Sequence, residues 1–220
     1  MNILVIADAQ RFEELQQKGL AKHEVQWKTS LEEVLSIKVF DLVIDLIFDD
    51  RPEHAAVYAK NPGVPVLAGM VKTSLAEVMN QYAFEQGFNI VGCNFLPGFI
   101  RMPVTEVTVL DDEQKSTLDQ LMYQLNWEYA VVADHVGMVT PLVVCMIINE
   151  AYLTAAEGTA SREDIDISMK LGTNYPFGPF EWCEMIGVKH VYEVLKAAQH
   201  ATGDDRYEAA ALLQTEYEAI

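Results

Sequence analysis

Short apolar runs alternate with amphipathic stretches as far as residue 133, and beyond Asp134 the strand signals stop and only helical patterns follow. Ile3-Leu4-Val5-Ile6 is a continuous apolar run, and Phe12, Leu15 and Leu20 then mark a helix ending near Gly19. His23 to Lys28 reads as a second strand, and Ser30 caps a short helix through Leu35. Asp41 to Phe48 is a third strand whose apolar run suits a sheet covered on both faces. Arg51 to Lys60 reads as helix, Val64 to Ala68 as strand and Ser74 to Gln86 as helix. Asn89 to Cys93, Val104 to Val109 and Glu128 to Val132 read as strands, with a helix over Asp111 to Gln124. Such alternation predicts a mostly parallel α/β sheet for residues 1–133 and an all-α domain for 134–220.

The stretch from Asn149 to Gly187 reads as helix, stop, helix, stop, helix. Met146, Ile147, Glu150, Ala151, Leu153 and Thr154 fall on a helical period that Gly158 closes. Ser161 starts the next helix with Asp164 at a capping-box-like spacing, and Gly172 is expected to end it. In Tyr175-Pro176-Phe177-Gly178-Pro179-Phe180 two prolines fix φ, and Gly178 is read as allowing a backbone closed to other residues.

Asn149-Glu150-Ala151, Glu157-Gly158, Glu163-Asp164-Ile165-Asp166, Gly172, Tyr175-Pro176, Gly178-Pro179-Phe180-Glu181 and Ile186-Gly187 stand in one order and spacing without a gap. In this the chain resembles the C-terminal domain of the 3-hydroxyacyl-CoA dehydrogenases. Asp41-Leu42-Val43-Ile44-Asp45 is similar to a D-L-V-x-E strand of the same family. The chain from Ala7 to Asp41 is several tens of residues shorter than the resemblance requires, where an adenosine-binding strand and a CoA-facing arm belong. The resemblance therefore implies an abbreviated Rossmann-like sheet followed by a helical domain of 3-hydroxyacyl-CoA dehydrogenase type.

The chain has 220 residues, 50% of them apolar, which is enough for a sizeable core. Its 15 Lys and Arg against 33 Asp and Glu give a net charge of -18, which repels nucleic acid and anionic membrane surfaces. The longest apolar run, Val136 to Ile148, is too short for a membrane span. The N-terminus enters a strand pattern directly, an argument against export and for a cytoplasmic protein. Cys93, Cys145 and Cys183 form no CxxC and read as buried hydrophobes of a reducing compartment.

A dinucleotide site needs glycines in the first strand-to-helix turn, because the backbone must approach a pyrophosphate closely. On G-x-G-x-x-G this turn places Ala7, Ala9 and Phe12 at the three glycine positions, and Asp8 adds a negative charge. The second strand ends in Lys28-Thr29-Ser30, without an acid for a ribose. NAD is implied by the resemblance alone; from the residues no cofactor and no metal is expected.

The resemblance implies a His base, a Glu that orients it, and a Ser and an Asn that hold substrate. Val91 to Pro97 occupies the His segment, yet Asn94 stands at the His position, with Glu106 twelve residues later as the family requires. Asn94 has no group that titrates near neutrality. Thr73 matches the serine. Asp134 to Leu142 matches a D-x-P-G-F-x-x-N-R segment, with Pro141 and Leu142 at its Asn and Arg. Each residue also has a structural reading. Glu106 either accepts a hydrogen bond from the Asn94 amide or faces solvent; Thr73 is a helix cap; His135 is a surface or capping group, or else a replacement base.

Three functions remain open. One is an oxidoreductase-family protein of fatty-acid or acyl-CoA metabolism, without ordinary NAD-dependent activity. A second is a non-catalytic module that binds an acyl thioester or a protein. A third is hydration or hydrolysis with Glu106 as base. By resemblance, with the apolar run Met138 to Ile148 as surface, the chain is expected to be a homodimer.

Overall fold

The computed structural model describes every residue except Ala21, Ala83, Glu85 and Gln86. It divides into two compact units, Met1–Met138 and Val139–Ile220. In the first unit the strands are β1 (Asn2–Ile6), β2 (Glu24–Lys28), β3 (Leu42–Asp45), β4 (Val66–Gly69), β5 (Ile90–Cys93), β6 (Val104–Thr108) and β7 (Glu128–Val131). Their order is β2-β1-β3-β4-β5-β6-β7, parallel throughout except for the antiparallel β5–β6 pair.

The continuous apolar strands make sense because both faces of this sheet are covered. Ile3, Val5, Leu42, Ile44, Leu67 and Val107 pack with Leu15 of helix α1 (Ala9–Lys18) and with Leu118, Leu121 and Met122 of helix α4 (Asp112–Leu125). The alternate residues Leu4, Ile6, Val43, Val66 and Ala68 point the other way. They pack with Phe48, with Tyr58 of α2 (Ala55–Ala59) and with Leu75 and Val78 of α3 (Leu75–Gln81). Trp127 reaches the first core and donates its indole N–H to Gly19 O at 3.3 Å.

Several connections differ from the sequence expectation. The helix expected from Ser30 is one 3-10 turn, Leu31–Glu33, followed by another, Ile37–Val39, each capped by a serine hydroxyl. Val34 and Phe40 adopt extended backbone, and the short path from β2 back across β1 to β3 leaves no room for a longer helix. The stretch from Arg51 begins as a 3-10 turn at Pro52–His54, and α2 follows it. Of the helix expected over Ser74 to Gln86, α3 supplies Leu75–Gln81 and Tyr82 turns extended; Ala83, Glu85 and Gln86 lie outside the described residues.

The second unit contains α5 (Thr140–Ala156), α6 (Arg162–Thr173), α7 (Pro179–Ile186), α8 (Val188–Thr202) and α9 (Ala211–Glu218). Pro141 sits in the first turn of α5, where its missing N–H has no helical partner to lose. Ser161 caps α6 by accepting Asp164 N–H at 3.2 Å. The end of α6 is Asn174, in left-handed backbone at φ 57, and Gly172 lies inside the helix. Gly178 is also explained differently from the sequence reading. Its φ of -72 is open to any residue, but a Cβ there would come within 2.3 Å of Asp166 Cγ. That carboxylate accepts Phe180 N–H at 2.8 Å, so space, and not backbone freedom, requires the glycine. Buried Asn149 donates to Glu208 O at 2.9 Å and accepts Ala210 N–H at 2.8 Å, tying α5 to the approach of α9. Among the described residues no helix is long and apolar enough to cross a membrane.

Candidate functional site

The chain runs from β1 to β2 on one side and returns to β3 on the other, so strand order reverses between β1 and β3. In open α/β sheets ligands bind outside the carboxyl ends of the strands at such a switch point. The carboxyl end of β1 leads into Ala7, whose carbonyl accepts the Trp27 indole N–H at 2.8 Å, and the Trp27 ring stacks on Phe12 at 4.4 Å. Asp8 is the N-cap of α1 and accepts Arg11 N–H at 2.9 Å.

Arg11 is only 6% exposed although it lies in the first turn of α1. One arm of its guanidinium pairs with Asp8 at 2.5 Å and the other with Asp50 at 2.9 Å; Asp50 also pairs with Lys72 at 3.0 Å. The neighbouring Asp49 accepts Val71 N–H at 2.7 Å and Lys72 N–H at 2.9 Å. Burial pushes the Asp49 carboxyl up to about 6, against the pull of Lys72 and those two amides. The carboxyl ends of β1, β3 and β4 are therefore joined by an internal charge network. Behind it, buried Asp45 accepts Tyr58 O–H and pairs with His54 Nδ1, both at 2.7 Å, and holds Ile47 N–H at 3.1 Å.

The second group of candidates lies at the ends of β5 and β6. Asn94 N–H donates to Glu106 O at 2.9 Å, so the two residues meet through the main chain. Asn94 is 5% exposed, and among the described residues its side-chain Oδ1 is buried without a partner. Thr73 donates its hydroxyl to Glu77 at 2.9 Å. The cap of α3 is the next residue, Ser74, in a capping box with Glu77. Asp134 completes this helix end by accepting Leu75 N–H at 2.8 Å and Ala76 N–H at 3.0 Å, while His135 is exposed. The loop after Asn94 is held by α1: Glu14 accepts Gly98 N–H at 2.9 Å and Lys18 donates to Met102 O at 2.6 Å. Burial raises the Glu14 carboxyl and lowers the Lys18 ammonium from their ordinary ranges.

A family model described as "3-hydroxyacyl-CoA dehydrogenase, C-terminal domain" matches residues 137–219. A probable 3-hydroxybutyryl-CoA dehydrogenase of Deinococcus radiodurans is 34% identical over 180 residues, covering 79% of this chain and 65% of that protein. Through residues 137–219 the chain belongs to the 3-hydroxyacyl-CoA dehydrogenase family. The 3-hydroxyadipyl-CoA dehydrogenase of Escherichia coli is 42% identical over 83 residues, 38% of this chain and 18% of the relative. The fold is that of the crystal structure of a (S)-3-hydroxybutyryl-CoA dehydrogenase from Ralstonia eutropha. That match has a TM-score of 0.75 at 19% identity and covers 100% of this chain and 94% of the other. Among the curated relatives the matched share of their own length runs from 18% to 65%, about half in most cases.

Within this dehydrogenase family the sequence-derived site residues divide. Asn94 and Glu106 are brought side by side, and Thr73 lies at the start of α3 with its hydroxyl directed to Glu77. Pro141 and Leu142 lie in the first turn of α5. The charge network of Asp8, Arg11, Asp50 and Lys72 was missed, as was the buried Asp45-His54-Tyr58 group. Signals for both exist in the sequence: Asp8 and Arg11 stand at a capping spacing, and His54 and Tyr58 stand at i,i+4 after the acid that ends an apolar strand.

Proposed function

We propose that this chain serves acyl-CoA chemistry, as the names of its relatives indicate, and that it does not carry out ordinary NAD-dependent hydride transfer by itself. The observation that supports this reading is the first turn of α1. A Rossmann-type sheet holds a pyrophosphate there on free helix N–H groups and glycine backbone. Here the Asp8 carboxylate already accepts the Arg11 amide, and the Arg11 guanidinium is divided between Asp8 and Asp50. A diphosphate would have to displace a carboxylate from its own helix while lying beside another. The residues present do not fit the dinucleotide. Asn94 at the position of the base supports the same reading, since a carboxamide takes up no proton near neutral pH.

The ligand that remains is an acyl thioester or a protein partner. The α5 helix supports a homodimer: it is apolar around most of its circumference, and Val139, Val143 and Leu153 are exposed. Buried free Cys93, Cys145 and Cys183 fit a reducing compartment such as the cytoplasm. A thermal-shift series with NADH, CoA and acyl-CoAs, followed by an acetoacetyl-CoA and NADH turnover assay, tests the reading. Stabilisation by an acyl-CoA with no effect of NADH is the expected result; NADH-dependent turnover overturns it.

A further inference from the structure

The shortened path between β2 and β3 leaves β2 at the margin of the sheet. It pairs with β1 over five registered positions, Asn2 with Glu24 through Ile6 with Lys28, and among the described residues no strand lies on its other side. Glu24 N–H donates to Met1 O at 3.1 Å, and Lys28 O accepts Ala7 N–H at 3.0 Å. A parallel ladder uses alternate residues, so Glu24, Gln26 and Lys28 turn their main-chain groups inward. The N–H and C=O groups of Val25 and Trp27 turn outward. Natural edge strands are usually blunted by charged side chains, by proline, by a bulge or by a covering segment; the two charges here, Glu24 and Lys28, are of opposite sign. Glu24-Val25-Gln26-Trp27-Lys28 has no proline, and its register with β1 is unbroken. Val25 and Trp27 are 37% and 39% exposed, and the bonds and stacking of Trp27 hold this edge in place.

We propose that this edge pairs antiparallel with the same edge of a second copy of the chain, about a two-fold axis at Gln26. The strand is complementary to itself in that one register. Val25 lies opposite Trp27 of the other copy, twice, and these are the residues whose main-chain groups point outward, so each pair exchanges both of its hydrogen bonds. Glu24 lies opposite Lys28 in both directions, and Gln26 meets itself on the axis. Apolar-aromatic and opposite-charge pairs are the cross-strand combinations that stabilise a sheet. Shifting the register by two residues either way also pairs outward groups, but it separates Glu24 from Lys28 and leaves two of the four outward-facing main-chain positions, one on each copy, opposite residues beyond the strand. Lys28 already lies 3.6 Å from Glu33 of its own chain and 30% exposed, so its ammonium is available between two carboxylates. The occupant is thus a second copy, and the joint is isologous, as two-fold pairing requires.

The test is a cross-link on the axis. Gln26 is exposed, and opposed residues of a non-hydrogen-bonded antiparallel pair stand about 4.5 Å apart at Cα, within disulfide reach. The three native cysteines are buried. Under copper-phenanthroline oxidation at about 0.15 M salt, where long-range repulsion between copies is screened, the Gln26→Cys protein should form covalent dimer about tenfold faster than Tyr123→Cys, an exposed control on α4. Adding Glu24→Lys should lower the yield by about tenfold, and adding Lys28→Glu to that should restore it. Restoration by the double exchange distinguishes pairing from a local loss of structure, and the position of the cross-link distinguishes this edge from any contact through α5. Cross-linking of Gln26→Cys at the control rate overturns the proposal, including the case in which the edge receives a strand from a different protein. A charge exchange that fails to restore the yield overturns it too.

Discussion

Asp8 caps the helix that carries Arg11 and also pairs with its side chain, accepting the Arg11 main-chain N–H at 2.9 Å and its guanidinium at 2.5 Å. One carboxylate thus satisfies a helix N-terminus twice, by hydrogen bond and by charge, at the place where a Rossmann-type sheet otherwise receives phosphate. Calorimetric titration with NAD or NADH should therefore give no dissociation constant tighter than about 1 mM, roughly 4 kcal/mol of binding. A micromolar constant would show that the network opens.

The two carboxylates that share Arg11 should differ in what they contribute to stability. The Arg11 side chain is 7% exposed, Asp50 20% and Asp8 48%. Truncating one partner of a buried charge costs about 3 kcal/mol or more, whereas an N-cap is worth about 1 kcal/mol and a half-exposed ion pair less than that. Urea unfolding should place Asp50→Ala well below Asp8→Ala in stability. Equal losses would mean that the guanidinium is held mainly at its exposed end.

Much of this architecture can be read from the residues, and the exceptions have physical causes. Leu42-Val43-Ile44 is apolar because opposite cores cover alternate side chains, so strand and sheet class follow from pattern alone. Gly178 was misread because its φ is ordinary; the constraint is the distant Asp166, twelve residues earlier, which periodicity cannot place beside it. The same holds for Asp50, which meets Arg11 and Lys72 only after three strands have aligned. Asn94 and Glu106 are joined by a main-chain hydrogen bond, and a spacing of twelve residues says nothing about whether side chains or main chains make a contact.

Asp49 should make stability depend on pH in the sense opposite to a salt-bridged acid. Its folded value is raised from 3.8 to about 6, so between those values the folded state holds a proton that the unfolded chain has released. Stability supplied by this group is then present at low pH and lost as pH rises through about 6. Comparing unfolding free energies at pH 4.5 and pH 7, the wild type should lose more than Asp49→Asn over that rise. Parallel pH profiles for the two proteins would refute the shift.

The exposed face of α5 should carry self-association of the helical unit. Val143 is 54% exposed on a helix that is otherwise rich in apolar residues. An Asp in an apolar interface is costly, by several kcal/mol, unless it finds a partner. Val143→Asp should lower the association measured by sedimentation equilibrium while leaving the far-ultraviolet spectrum unchanged. A monomeric wild type at micromolar concentration, or a variant that associates as the wild type does, would remove α5 from the interface.

Asn94 supplies the prediction that bears most directly on function. Its Oδ1 is buried and unpartnered, and its link to Glu106 is made by the main chain, which a side-chain substitution preserves. A buried carbonyl oxygen without a donor gives up desolvation without return, so replacing it with an apolar group of similar shape should be close to neutral or stabilising. Asn94→Leu is expected to unfold within about 1 kcal/mol of wild type. If a side-chain contact with Glu106 mattered, the loss would instead reach about 1.5 to 3 kcal/mol, the range for a bond to a charged group. Asn94→His restores a titratable ring at the family's base position but leaves Asp8, Arg11 and Asp50 across the dinucleotide turn, so it should show no reduction of acetoacetyl-CoA by NADH. NADH-dependent turnover by Asn94→His would make the missing base, and not the filled turn, the reason for the loss. Turnover by the wild type that disappears in Glu106→Gln would place the chain among the active dehydrogenases.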